Sequence, residues 1–216
     1  MRPITVHADM LTPPVSQTPI LLDGLLYFAL GAQWAEAGQG VDPVALADAP
    51  LPLARVDGRG GQWWHACSQQ ALYGSMARRH YHRRAALELA RELGDFGSIN
   101  VAAGADKALR VPIYYRPGML ALRWTAIGNP GPLGALLARV SQIGKYSAWG
   151  FGMVARWTVE TDTGAPGIDR YATDVTLRHL PVGAAAAVRG AIVKASPLRP
   201  PYWDRARATQ CIQVIR

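Results

Sequence analysis

The chain has 216 residues, half of them hydrophobic, enough to bury a core for one domain with insertions and to exclude disorder along most of its length. Its apolar runs are short and broken by Gly, Pro or charge, which excludes a bilayer-spanning helix, and two cysteines, Cys67 and Cys211, are too few for a disulfide scaffold or a cysteine metal site. The net charge of +8 is carried almost wholly by arginine, whose flat fork suits phosphate and bases, although an arginine-rich codon usage would give the same composition.

Ile4 to Met10 alternates like an opening strand with one buried face, and no secretory apolar stretch precedes it, so a cytoplasmic protein is expected. Three prolines between Thr12 and Pro19 require an extended loop. Asp23 is the expected N-cap of an apolar helix through Leu25–Leu30, ended by Gly38 and Gly40. Leu51 to Val56 and Gln62 to Cys67 read as a hairpin about Asp57-Gly58-Arg59-Gly60-Gly61. From Gln69 to Asp106 the pattern changes to an inserted lobe, with the basic run Arg78-Arg79-His80-Tyr81-His82-Arg83-Arg84 leading into a short helix over 85–93. Strands over 109–115 and 119–127, joined at Arg116-Pro117-Gly118, form a second expected hairpin. Pro130 and Pro132 open an amphipathic helix over 133–143 that stops at Gly144, and a strand follows to about Thr161. The tail carries strand-like runs at 174–180, 191–195 and 211–215, an Ala-rich stretch at 182–188, and the stiff segment Arg199-Pro200-Pro201-Tyr202-Trp203.

The order is β-α-β-β, an insertion, β-β-α-β and a mixed tail. Taking two of the four central strands as a core hairpin gives an α+β fold of the ferredoxin-like βαββαβ type. Residues 1–68 and 107–161 would form this core, 69–106 an inserted basic thumb, and 162–216 a C-terminal extension. Charge divides along the same lines. Residues 1–68 carry three basic and six acidic side chains, 69–123 nine and four, and 124–216 eleven and five.

Two segments stand out chemically. Between Gln142 and Val154 a helix end, a loop with Gly144, Gly150 and Gly152, and a strand follow in succession. Glycine lets the backbone approach another chain and take positive φ, while Lys145, Tyr146 and Trp149 offer a cation and stacking faces to single-stranded nucleic acid. The loop fits neither a Walker loop nor a dinucleotide fingerprint, and a tight turn with Trp149 and Phe151 in the core would read the same way. The basic run crowds four arginines and an aromatic into seven residues, and a polyanion would relieve that repulsion whether it forms a strand or a helix. A solvated face is the ordinary alternative. In the tail, Arg199, Tyr202 and Trp203 sit on a proline-stiffened frame that could meet bases, a partner subunit or the core.

The glycine-rich loop from Gly144 to Val154 resembles that of the RAMP superfamily of CRISPR-associated proteins. Leu122 to Asn129 resembles the strand and turn before the second helix there. Pro19 to Leu26, with Arg199 to Trp203, resembles the Cas-five group of type IV systems. The resemblance implies a ferredoxin-like platform that grips the 5′ handle of the CRISPR RNA and caps a filament of backbone subunits. The expected partners are the backbone and large subunits of the complex; contact with target DNA is left open, and neither a cofactor nor a membrane is expected. Gly144, Gly150 and Gly152 would lie against RNA phosphates, with Lys145 and Tyr146 at the rim.

Some RAMP proteins cleave CRISPR RNA without metal, and His80, Tyr81, His82 and Lys145 are the residues that could do so here. No carboxylate cluster or nucleophile motif accompanies them, and His7, His65 and His179 are scattered along strand-like runs. A non-catalytic binding subunit is the expectation, with a metal-independent processing ribonuclease as the alternative.

Overall fold

A computed structural model describes residues 1–70, 72–83, 109–185 and 188–214. Arg84, the helix expected over 85–93 and much of the inserted lobe lie outside the described residues. The elements in chain order are β1 (Arg2–Met10), β2 (Ile20–Leu21), α1 (Leu22–Glu36), α2 (Pro43–Asp48), β3 (Arg55–Asp57), β4 (Trp63–His65), β5 (Gln69–Gln70) and β6 (Ala77–Arg83). They continue with β7 (Leu109–Tyr115), β8 (Ala121–Gly128), α3 (Pro130–Leu137), β9 (Val154–Thr161), α4 (Ile168–Thr173), β10 (Leu180–Pro181), β11 (Ala191–Pro197) and β12 (Ala208–Val214).

β1 lies between β8 and β9 and is antiparallel to both. The expected alternation holds: Ile4, Val6, Ala8 and Met10 are buried, and Val6 sits opposite Trp124 on one side and Val159 on the other. This face packs in one cluster with Leu22, Leu26 and Ala29 of α1 and Leu133 and Leu137 of α3. Each such side chain contributes about 1.5–3 kcal/mol by leaving water. The indoles of Trp124 and Trp157 donate to the carbonyls of Ile20 and Val140, fixing the two helices' flanking segments to the sheet. The far edge of β8 is covered by fragments. Ile127 donates to Ala66, Ser68 donates to Thr125, and Ala54 donates to Ile127.

Four expectations change. The hairpin over 109–127 does not form, because its two halves bury different faces. Ile113 of β7 packs on Val15 and Phe151, whereas Leu122, Trp124 and Ala126 of β8 enter the main core. The chain turns at Arg116–Met119 and passes from one sheet to the other. Helix α3 ends at Leu137, six residues early, although Val140 and Ile143 keep the buried spacing of a helix. Cross-loop bonds replace helical ones there: Ile143 donates to Gly152, and Val154 donates to Ser141. The strand expected over 174–180 shrinks to β10, because the Asp174 carboxylate accepts from the Thr176 amide and the Arg170 guanidinium and bends the chain after α4.

Asp23 is no cap. Leu21 occupies the cap position, and Asp23 lies in the first turn of α1, fully buried against Arg178, which is also fully buried. Arg178 donates to the carbonyls of His65 and Leu198 at 2.6 Å each, to Asp23 Oδ2 at 3.4 Å and to the Tyr202 hydroxyl at 3.2 Å. Tyr202 in turn donates to Asp23 Oδ1 at 2.7 Å. One guanidinium thereby ties α1, the β3–β4 hairpin and the C-terminal segment together. Behind it, β10, β12 and β11 form a second small antiparallel sheet, packed through Trp64, Tyr171, Leu180, Leu198 and Ile212.

Candidate nucleic-acid interface

The basic run is a strand through Arg83, and β6 pairs with β7 as an antiparallel ribbon. Arg79 and Tyr81 share one side with their cross-strand partners Ile113 and Val111. Arg78 and His80 occupy the other side, opposite Tyr114 and Pro112. His82 pairs in register with Arg110, and Arg83 with Leu109. Arg78 and Arg79 are exposed and make no ion pair among the described residues. The guanidinium of Arg110 lies 3.1 Å from His80 Nδ1, to which it can only donate.

The glycine-rich loop packs against this ribbon and against the proline-rich loop of residues 12–19. Lys145 donates its amide to the Val15 carbonyl at 2.8 Å, and Gly152 donates to Pro13. A Cβ on Gly144 would stand 2.6 Å from Val15 O, and one on Gly152 only 1.9 Å from Ile143 O. These two glycines therefore serve an approach to the chain's own backbone. Gly150 also has positive φ, but a Cβ there would meet nothing. Tyr146 adopts φ 62°, the left-handed region that costs a side-chain-bearing residue about 1–2 kcal/mol.

Aromatic rings join the two segments. Trp149 stacks on Tyr81 of the ribbon at 3.8 Å between centroids and 11° between planes, and on Tyr146 at 4.7 Å and 8°. Beneath them Phe151, Val15 and Ile113 form a small buried cluster with Tyr115 and Tyr146. The glycine-rich loop and the arginine run are thus one surface: exposed Lys145 lies beside one end of the stack, and exposed Arg79 lies two residues from the other. Phe151 is in the core, as the tight-turn alternative has it, and Trp149 is half-buried.

The third expected segment is largely committed elsewhere. Arg199 donates to Asp48 Oδ1 at 2.7 Å and to Ala47 O, and its guanidinium lies 4.0 Å from the centre of the Trp63 ring. The Tyr202 hydroxyl belongs to the Arg178–Asp23 network. Trp203 alone is free, at 70% exposure. Sequence reading passed over Arg110 and Val15. Arg110 carried the signal of a basic residue at strand spacing; Val15 carried none, because it contributes a backbone carbonyl.

Among the described residues no three His, Cys, Asp or Glu side chains are grouped to hold a metal ion. No helix among them is long and apolar enough to cross a membrane.

These features define a basic α+β protein whose loop and ribbon meet through stacked aromatics. Residues 95–214, more than half of the chain, match the family described as CRISPR type IV associated protein Csf3, and the chain belongs to that family. It is a type IV CRISPR-associated protein, in keeping with the resemblance read from its sequence. No curated protein matches it. A chain of a solved structure titled "Type IV-B CRISPR Complex" is similar at 16% identity and a TM-score of 0.39, covering 76% of this chain and 92% of that one.

Proposed function

We propose that this protein is a non-catalytic subunit of a type IV CRISPR effector complex. It holds the 5′ handle of the CRISPR RNA and caps the filament of backbone subunits, beside the large subunit and the target DNA. Membership in the type IV family supports the assignment to such a complex. The observation that carries the RNA reading is the Tyr81–Trp149–Tyr146 stack, which unites the cationic ribbon with the glycine-rich loop. Exposed cations set beside aromatic side chains are a recurring combination where proteins hold single-stranded nucleic acid. The platform is ferredoxin-like in this reading. Its support is the order β8-β1-β9, with α1 after the first strand, α3 between the other two, and residues 66–68 as a remnant of the fourth strand along β8.

The test is salt-dependent binding of a single-stranded RNA carrying the 5′ handle. The double substitution Arg78→Ala and Arg79→Ala should leave the fold intact and flatten the slope of log K against log salt by about 1.4, at roughly 0.7 per phosphate contact. An unchanged slope and affinity would remove the ribbon from the interface. Incubating the same RNA in EDTA with wild-type protein should return it uncut.

A further inference from the structure

At the foot of the glycine-rich loop, on the side of α1 and the C-terminal sheet, lies a cavity of about 360 Å³. That volume is within the range of small-molecule sites. Its walls include Ile20, Leu25, Ile143 and the Tyr202 ring, and Gly144 lies at its edge. Resting on the RNA reading above, we propose that this cavity takes one unpaired nucleobase of the strand that crosses the loop, with Lys194 at its mouth on the adjoining phosphate.

Three observations carry this. Gln69 lines the cavity, and its Oε1 is buried with no donor among the described residues, a lapse that ordinarily costs about 1–3 kcal/mol. His179 lines it too. Its Nε2 lies 2.8 Å from the Pro197 carbonyl, to which it must donate, leaving Nδ1 as an acceptor. Burial holds this ring neutral, with its pKa pushed down to about 4. Acceptors in the wall suit the N–H groups on a base edge and repel an anion. The third observation is charge placement: Lys194 is exposed on β11, without an ion pair among the described residues, and lines the same cavity. Acceptors and apolar walls thus stand beside a cation, matching a base beside its phosphate.

The experiment measures the affinity of the full chain for a synthetic 5′-handle RNA and for copies that each carry one abasic ribose. One position should stand out, its abasic copy binding about tenfold more weakly than the parent RNA, the loss of one stacked base. In Thr18→Trp, which sets an indole at the cavity mouth, the same abasic position should have no further effect, while the other positions behave as in wild type. Lys194→Ala should lower affinity a few-fold and keep the position-specific loss. Equal losses at every position in both proteins would overturn the base pocket and leave the RNA-binding reading standing. A failure of wild-type protein to bind any of these RNAs would overturn both. Should Thr18→Trp not fold, 4-thiouridine scanning of the RNA against wild-type protein decides the matter. A photo-adduct on Tyr202 or Ile20 supports the pocket, and adducts confined to 78–81 and 145–152 overturn it.

Discussion

Two regions of this molecule treat charge in opposite ways. At the junction of α1, the β3–β4 hairpin and the C-terminal segment, a guanidinium is taken wholly out of water and surrounded by a carboxylate, a hydroxyl and two carbonyls. On the ribbon, Arg78 and Arg79 stand in solvent with no ion pair among the described residues. Aromatic rings differ in parallel. Trp64 and Trp124 are buried with their indole N–H groups bonded to carbonyls, whereas Tyr81 and Trp149 meet at the surface, held by their faces. The first arrangement spends its polar groups on the fold. The second leaves them in solvent. A basic chain therefore need not be uniformly adhesive, and its charge count says little until the paired cations are set apart from the free ones.

The sharpest way to break this contrast is at Arg178. Removing one partner of a buried pair strands the other, at about 3–5 kcal/mol. Arg178→Ala should therefore lose a large share of the roughly 5–15 kcal/mol that holds a domain together, with urea unfolding as the measurement. A loss below about 1 kcal/mol would mean that the apolar clusters alone hold the C-terminal segment in place.

Acid should act on the same region next. His65 and His179 are both pushed down to about 4, by burial first; in each case the Arg178 cation works in the same direction. Their unfolded values are near 6.5, so between about pH 6.5 and 4 the unfolded chain binds the protons and the folded chain does not. Their contribution is therefore complete above about pH 6.5 and is lost as the pH falls toward 4, at up to about 2.7 kcal/mol per pH unit for the two together. Unfolding midpoints measured between pH 8 and 5 should fall below 6.5. The ribbon arginines stay charged throughout that range, so RNA affinity of the still-folded protein should not fall with the stability. Parallel declines in both would tie the RNA surface to the buried histidines and erase the contrast.

How much of this was legible in the sequence follows from the same division. Local patterns were readable: the alternation of Ile4 to Met10, the hairpin about Asp57–Gly61, and the strand entering at Val154 all rest on neighbours in the chain. The pairing of β7 was not, because its partner β6 lies inside the expected insertion, and a strand with apolar residues on one face fits an adjacent partner as well as a distant one. Asp23 looked like a cap because an acid before an apolar helix usually is one. Only the fold brings Arg178 to it, 155 residues later. The glycines of the loop marked a close approach correctly, but sequence could not say to what, and two of them meet the protein's own backbone. Nor did anything local indicate that Tyr81 and Trp149, read as separate surfaces for bases, would lie face to face.

That last contact permits the most delicate comparison. Stacked aromatic pairs are worth about 0.5–1.5 kcal/mol beyond the area they bury. Tyr81→Leu should therefore shift global stability by about 1 kcal/mol at most, since Tyr81 is partly exposed on a ribbon outside the main core. Its local effect should be larger. Trp149 would keep Tyr146 as its stacking partner, and the loop would be held to the ribbon through Phe151, Val15, Ile113 and Tyr115. Hydrogen exchange should then quicken at the amides of Trp149 and Gly150, which donate within the turn, while Ile143 and Lys145, bonded to Gly152 and Val15, change less. Exchange across β1 and β8 should not change. If the whole loop and the main sheet loosened together, the stack would belong to the core, and the ribbon and loop would no longer be a surface kept apart from it for binding.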